Sequence, residues 1–204
     1  MVKVRLVALV VIVAVTLAPL LEAAGQTTFL LAPTWVYDFV PLDVPGAINT
    51  GAEGINNHNE IAGWFFDGSL GRSFVLSNGV FTPLAMEGAN TTIARDINDD
   101  GRVVGEFQLN GHVHAFLYSA GTFSEPFGVG NFGDAYARGI NNQGAVVGAV
   151  WSQDFDFGLH LSGYFDGDYL KDVWFSGINE ARHAVGTDLT GPVDGVWRGF
   201  SGLN

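Results

Sequence analysis

The stretch DINDDGRVVG, residues 96–105, decides the fold, because it recurs three more times along the chain in altered form. In each copy an Ile-Asn pair is followed by a polar turn and a short run of Ala or β-branched residues that ends in Gly. Successive Ile residues of these pairs lie 42, 43 and 38 positions apart, a period typical of propellers, solenoids and arrays of small supersecondary units. The four copies occupy residues 54–63, 96–105, 139–148 and 177–186.

The residues around the second copy predict four short strands. The pattern of β-branched and aromatic residues favours strands at residues 91–98, 102–107, 114–118 and 122–126. Asp99-Asp100-Gly101, Asn110-Gly111 and Ala120-Gly121 separate them as tight turns. Four short strands in about 43 residues are typical of one propeller blade.

The two chain ends predict how such blades would be completed. The fourth copy stops after a third strand at residues 197–201, whereas residues 36–42 look like an isolated fourth strand. Pairing of these ends would hide two exposed sheet edges. We therefore expect an all-β repeat protein, a four-bladed β-propeller closed by pairing of its N- and C-terminal strands. An open array, or a piece of a longer repeat protein, is the alternative.

Three motifs resemble the HAF-type extracellular repeat proteins, secreted bacterial proteins named for a His-Ala-Phe triplet. They are the Gly-Ile-Asn-Asn motif that begins at Gly54, the run His114-Ala115-Phe116-Leu117-Tyr118, and Leu42-Asp43-Val44-Pro45-Gly46. The resemblance covers about residues 37–200 and weakens after the second copy, where Phe165 and Phe200 lack the preceding His. It implies export from a bacterium and a β-rich repeat fold, and it carries no catalytic residue, cofactor or substrate.

Residues 1–25 have the features of a signal peptide. Lys3 and Arg5 precede the apolar run 6–21, and Ala23-Ala24-Gly25 offers the small residues that signal peptidases cleave after. The rival interpretation, a membrane anchor, needs about 20 apolar residues, and this run is shorter. We expect a single β-repeat domain at residues 26–204, extracellular or periplasmic, with no membrane insertion of the mature chain. The chain has no Cys and so forms no disulfide there.

The charge of the chain argues against nucleic acid as a partner. The net charge is −12 and becomes −13 once the signal segment, with its two basic residues and one acidic residue, is removed. Each phosphate contact requires a Lys or Arg. We therefore expect a protein or glycan partner rather than nucleic acid.

The repeated Asn and the repeated terminal Gly have structural interpretations. An Asn in front of a turn can form an Asx-turn, with its side chain bonded to the backbone that follows. Gly63, Gly105, Gly148 and Gly186 indicate close approach of backbone between strands or blades. A ligand-binding role for the repeated Asn is the alternative.

One copy also resembles the core of a calcium loop. Asp96, Asn98 and Asp100 lie at alternate positions before Gly101, and such oxygens can converge on a hard cation. The Glu expected six residues after the Gly is absent, since Phe107 stands there. Calcium is thus the one candidate cofactor, and a solvated acidic turn is the alternative.

Two His residues, His112 and His114, fall on one face of a predicted strand, which would suit a metal pair. No third ligand is evident. A packed or capping role for His114 is the alternative.

The third copy contains an insertion that the repeat does not require. Asp154, Phe155, Asp156 and Phe157 lie within it, and functional residues often occupy such loops. We expect these four residues to contact a ligand or partner, the rings by stacking and the carboxylates as hydrogen-bond acceptors. The Trp residues and Tyr118 could line a sugar- or peptide-binding face, or could instead pack between blades.

Three functional classes follow from these features. The first is a secreted, non-enzymatic binding domain that engages a protein or glycan through loops on one face of the ring. The second is a secreted hydrolase or lyase that uses acidic pairs such as Asp154/Asp156 or Asp166/Asp168, and the third is a structural envelope component. A groove with at least two close carboxylates and a cation beside them would favour the enzyme. No hydrolase, metalloprotease or nucleotide-binding motif occurs, so the sequence favours the binding domain.

Overall fold

The computed structural model describes residues 40–127, 133–154, 158–193 and 196–201. These residues form fifteen β-strands and no helix, so the fold is all-β as expected. No helix long and apolar enough to cross a bilayer occurs in this part of the chain. The strands of the first two units are β1 (Asn49–Ile55), β2 (Ile61–Phe66), β3 (Gly71–Ser77), β4 (Val80–Leu84), β5 (Thr91–Ile97), β6 (Val103–Leu109), β7 (His112–Ser119) and β8 (Thr122–Ser124). The strands of the last two units are β9 (Gly133–Ile140), β10 (Val146–Asp154), β11 (Gly158–Phe165), β12 (Asp168–Lys171), β13 (Val173–Ile178), β14 (Ala184–Val193) and β15 (Val196–Ser201).

Within each unit the strands pair with their sequence neighbours in antiparallel fashion. β1–β4 form the first unit, β5–β8 the second, β9–β12 the third and β13–β15 the fourth. The four strands predicted in the second unit match β5, β6, β7 and β8 to within a few residues. The prediction succeeded because turn-forming residues flank each of these strands and mark its ends in the sequence.

A parallel strand pairing joins the first two units. Gly71 of β3 pairs in parallel with Thr91 of β5, so β1–β8 form one eight-stranded sheet. The third unit is a four-stranded sheet and the fourth a three-stranded one. None of these sheets closes on itself among the described strands.

The N-terminal segment that was expected to complete the last unit is described only in part. Residues 40–42 adopt no strand, and Val40 is 83% exposed. Residues 36–39 lie outside the described residues, as does the predicted signal segment 1–25. In the described chain β15 pairs with β14 alone.

Each Ile-Asn pair ends a strand and opens a tight turn. The main-chain N–H of Asn98 bonds to the oxygen of Arg102, and that of Gly101 bonds to the oxygen of Asn98. The same two bonds form at the other three turns. The fourth turn residue always has a positive φ, which favours Gly, and it is Asn59, Gly101, Gly144 or Arg182.

The apolar core lies in three clusters. One packs within the first two units around Phe107 and Phe116, and a second joins the second and third units around Val104 and Val150. The third joins the last two units around Phe175. Adjacent units are therefore held together by continuous burial of apolar side chains.

Candidate functional site

The first strand of every unit contains a β-bulge at the same place in the repeat. In β5 the register passes from Ala94 opposite Gly105 to Asp96 opposite Val104, which leaves Arg95 without an opposing residue. A bulge bends its strand and re-aims the side chain of the extra residue. The extra residues of β1, β5, β9 and β13 are Glu53, Arg95, Arg138 and Ser176, each three positions before the repeated Asn.

All four bulge residues line one pocket of about 340 Å³. Asp96, next to Arg95, also lines it. We call this cavity the bulge pocket. Its walls come from all four units, although the residues that form it are up to 123 positions apart in sequence.

Arg95 is held by two carboxylates. Its Nε and Nη2 donate to Oε1 of Glu106 at 2.9 and 2.5 Å, and its Nη1 lies 3.4 Å from Oε1 of Glu53. Burial by itself would lower the pKa of Arg95, but the bonds and charges of Glu106 and Glu53 outweigh burial and raise it. The indole N–H of Trp64 also donates to Glu53, at 2.7 Å. Every nitrogen of this guanidinium is thus engaged.

Arg138 is less fully paired. Its Nη1 lies 3.6 Å from Oε1 of Glu106, and its guanidinium carbon lies 5.3 Å from the ring centroids of both Tyr136 and Trp174. Among the described residues its buried Nε has no hydrogen-bond partner. Burial lowers the pKa of Arg138, the charge of Glu106 opposes that change, and Arg95 adds to it.

Asp96 stands where the other three copies have Gly. Its Oδ2 accepts the N–H of Ile140 at 3.0 Å and its Oδ1 accepts the N–H of Ile97 at 2.9 Å. Burial raises the pKa of the Asp96 carboxyl, and these two N–H groups only partly offset the rise. The pocket therefore combines the Asp96 carboxyl, whose pKa burial raises, with the Glu53 carboxylate beside Arg95.

The other two residues of the predicted calcium loop do not point their oxygens at a common centre shared with Asp96. Oδ1 of buried Asn98 accepts the N–H groups of Asp100 and Arg102 at 3.1 and 3.0 Å. The Asp100 carboxylate lies 3.6 Å from Nη2 of Arg102. No group of three or more His, Asp or Glu side chains arranged for a metal occurs in the described ranges. Calcium at Asp96, Asn98 and Asp100 stays a prediction.

The predicted binding insertion falls largely outside the described residues. Phe155, Asp156 and Phe157 are outside them, and Asp154 is described only as the last residue of β10. In the acidic pair that follows, Asp166 and Asp168 are both exposed, and Asp166 pairs with Nη2 of Arg182 at 2.6 Å.

The two His residues have carboxylates rather than each other as neighbours. Nδ1 of His112 lies 3.5 Å from Asp134, and Nδ1 of His114 lies 3.4 Å from Glu125. The His114 ring also stacks on Phe107, with centroids 5.0 Å apart. The packed interpretation of His114 agrees with this geometry.

Sequence reasoning missed the four bulge residues. The available signal was that the third position before each Asn is Glu, Arg, Arg or Ser, while its neighbours are mostly small. A polar residue that differs between copies of an otherwise constant repeat indicates a side chain that the fold of the repeat does not require. That this position is also a bulge is visible only from the strand register.

Comparisons with family models, curated proteins and solved structures found no match to this chain. The resemblance to HAF-type repeat proteins therefore stays a prediction, and the site is interpreted from its own geometry.

Proposed function

We propose that this chain is a secreted, non-enzymatic binding domain that holds a glycan in the bulge pocket. The observation that carries the proposal is the convergence of Glu53, Arg95, Arg138 and Ser176 on one cavity. Packing does not need four polar side chains at equivalent bulges, since hydrophobic clusters already join the units. Bulges are common next to functional sites because they re-aim side chains.

The size and chemistry of the pocket favour a sugar over a protein surface. A volume of about 340 Å³ is in the range of small-molecule sites. Carboxylates and guanidinium groups can bond to several hydroxyls, while Tyr136 and Trp174 place aromatic surface beside Arg138. The insertion with Phe155 and Phe157 is proposed as a second contact for a longer chain of sugars or for a protein partner.

Export is part of the proposal. The signal segment 1–25 and the resemblance to HAF-type repeat proteins support an extracellular or periplasmic location. N-terminal sequencing of the protein recovered outside the cytoplasm should begin near Gln26. An intact Met1 on that protein would contradict cleavage.

We further propose that the four units are blades of a four-bladed propeller, closed by pairing of residues 36–42 with the last unit. What supports the ring is that first strands of all four units contribute to one pocket, as strands around a common axis would. An open array of the four units is the alternative.

An enzyme is the second candidate, because a specific observation favours it. Glu53 and Asp96 line the same pocket with two Arg residues beside them. A carboxyl whose pKa is raised by burial and a second carboxyl group in the same pocket are the two groups that acid–base hydrolysis or lysis of glycosidic bonds requires. In that case Asp96 would be the acid and Glu53 the base or nucleophile.

A glycan screen with the mature domain, in calcium and in chelator, tests these proposals. We expect binding that Ser176→Trp abolishes, because the larger side chain fills the pocket, whereas the double variant Phe155→Ala/Phe157→Ala at most weakens it. Ser176 is exposed, so its replacement removes no core packing. Unaltered binding by Ser176→Trp would move the site away from the pocket. Shortened products after long incubation, lost in Glu53→Gln, would establish the enzyme instead.

A further inference from the structure

The two arginines of the bulge pocket differ in how much of their hydrogen-bonding capacity the protein uses. All three nitrogens of Arg95 face Glu106 or Glu53. Among the described residues, the ion pair of Arg138 is with Glu106, through Nη1 at 3.6 Å. The buried Nε of Arg138 has no hydrogen-bond partner in that part of the chain. Arg138 is therefore the cation with donor capacity left for a ligand.

The orientation of Arg138 is fixed before any ligand arrives. The rings of Tyr136 and Trp174 each lie 5.3 Å from its guanidinium carbon. Contacts with two aromatic rings restrict the side chain and keep its charge in place. A guanidinium held in this way presents its donors in a fixed fork, which matches the geometry of a carboxylate.

The surrounding charges limit what kind of anion fits. Glu53 and Asp96 line the pocket, and Glu106 lies behind both arginines. A doubly charged phosphate would be repelled by these carboxylates. A ligand with one carboxylate and several hydroxyl groups would be bound through both kinds of group. The arginine side would hold its carboxylate, and its hydroxyls can donate hydrogen bonds to Glu53 and Asp96.

We infer that Arg138 anchors a ligand carboxylate, so that the bulge pocket takes a uronic acid unit of an acidic glycan. This inference rests on the proposed function, glycan binding in the same pocket. It adds the class of sugar and the residue that selects it. A peptide with a free C-terminal carboxylate shares the charge but lacks the hydroxyl donors, so the acidic glycan is favoured.

Calorimetric titration of the mature domain tests the inference with four probes. They are oligoglucuronate, its methyl ester, a glucose oligomer of the same length, and a short peptide with a free C terminus. We expect oligoglucuronate to bind, and its methyl ester and the glucose oligomer to bind roughly 10- to 100-fold more weakly, because charge-assisted hydrogen bonds are lost. The ester is the matched control on the ligand, because it removes the charge without altering the protein.

Arg138→Gln should weaken oligoglucuronate by a similar factor and weaken the glucose oligomer much less, while Arg138→Lys should be intermediate because it keeps the charge without the fork. Arg72→Gln is the matched control, since Arg72 is half-buried, pairs with Asp67 and is not among the residues that line the bulge pocket. Equal affinity for oligoglucuronate and the glucose oligomer would overturn the inference and leave glycan binding intact.

If the peptide binds and no sugar probe does, the choice of a glycan as ligand is overturned. If no probe binds and the screen finds no glycan that binds, the proposed function is overturned as well.

Discussion

The side-chain amide of Asn98 donates a hydrogen bond to the main-chain oxygen of Asn141, 43 residues further along the chain and 3.0 Å away. Asn56 makes the same bond to Asn98, and Asn141 makes it to Asn179. At the same time Oδ1 of each Asn accepts N–H groups of its own turn, as the Asx-turn prediction requires. One side chain therefore closes its own turn and ties that turn to the next unit.

Asn98→Asp separates these two roles. The carboxylate keeps the acceptor for the turn but loses the donor, and it places negative charge against the buried main-chain oxygen of Asn141. We expect a loss of about 3 kcal/mol in the free energy of unfolding, since a buried charge without a partner is costly. Urea denaturation measures the loss.

Asn78→Asp is the control for Asn98→Asp, because Asn78 is an exposed turn residue whose side-chain amide donates to Oγ of the adjacent Ser77 rather than to a neighbouring unit. Its free energy of unfolding should change by less than about 0.5 kcal/mol. Equal effects of the two variants would mean that the bond between the units contributes nothing to stability.

Asn179 tests whether the ring closes. Asn56, Asn98 and Asn141 are buried, whereas Asn179 is exposed and its side-chain amide donates no hydrogen bond to any described residue. In a closed ring that amide would reach the main-chain oxygen of Asn56, as its three equivalents do. Our proposal therefore predicts that Asn179→Asp costs about as much as Asn98→Asp, about 3 kcal/mol. A cost near zero would support the open array.

Deletion of residues 36–42 is the second arm of this test. If the segment completes the last unit, its loss exposes a sheet edge and should cause aggregation or loss of cooperative unfolding. Light scattering and thermal unfolding follow both effects. A monomeric deletion variant with an unchanged melting temperature would contradict closure through this segment.

The sequence predicted the strands and turns of the second unit because their signals are local. Asn110-Gly111 and Ala120-Gly121 form turns with positive φ at both residues, as such pairs favour. The pairing of Gly71 with Thr91 was not predictable in this way. It depends on how two units pack, and no pattern within either unit specifies it.

Because sequence patterns report only neighbouring residues, the sequence predicted the calcium motif and did not predict the bulge pocket. Asp96 was recognised, but its partner is the N–H of Ile140, 44 residues away. Arg95 and Arg138 come from different units and both pair with Oε1 of Glu106. A motif search reads neighbours in sequence, whereas this site is built from equivalent positions in different units.

Gly105 tests the strand register that creates the bulge. A Cβ at this position would meet the main-chain oxygen of Ile93 and would lie 2.9 Å from Cα of Ala94. Because these are backbone atoms, they have little freedom to move aside. We expect Gly105→Ala to lower the free energy of unfolding by about 2 to 3 kcal/mol or more. Denaturant unfolding of purified protein measures this change.

Gly177→Ala is the matched control for Gly105→Ala. Its Cβ would make an ordinary contact, 3.6 Å from Cγ2 of Val185. The free energy of unfolding should stay within about 1 kcal/mol of wild type. Tolerance of Ala at position 105 would show that the strands do not approach as closely as the register requires.

Calcium provides a test of the loop at residues 96–101. The oxygens of Asp96 and Asn98 already accept main-chain N–H groups, so we expect equal melting temperatures in calcium and in chelator. A bound ion would instead stabilise the native state, by about 2.7 kcal/mol at a hundred times its dissociation constant. A rise in melting temperature with calcium that Asp100→Ala removes would establish the site that the sequence motif predicts.

The pH dependence of stability should report the burial of Asp96. Burial raises the pKa of its carboxyl in the folded state, despite the N–H groups of Ile140 and Ile97. A raised folded-state pKa means that its contribution to stability is fully present below the unfolded pKa, about 3.9, and is lost as pH rises through the folded value. The free energy of unfolding of wild type minus that of Asp96→Asn should therefore fall as pH increases across this window.

Asp99→Asn should show the opposite trend in the same experiment. The side-chain bond from Asn57, then the main-chain N–H of Asn57, lowers the pKa of the Asp99 carboxyl. A carboxyl with a lowered folded-state pKa stabilises the folded state above about pH 3.9. This stabilisation is lost as pH falls through the folded-state pKa. Chemical denaturation of the three proteins from pH 3 to 7 gives both differences. Parallel slopes for the two variants would contradict the burial of Asp96, because burial is what separates this carboxyl from a solvated one at the same turn.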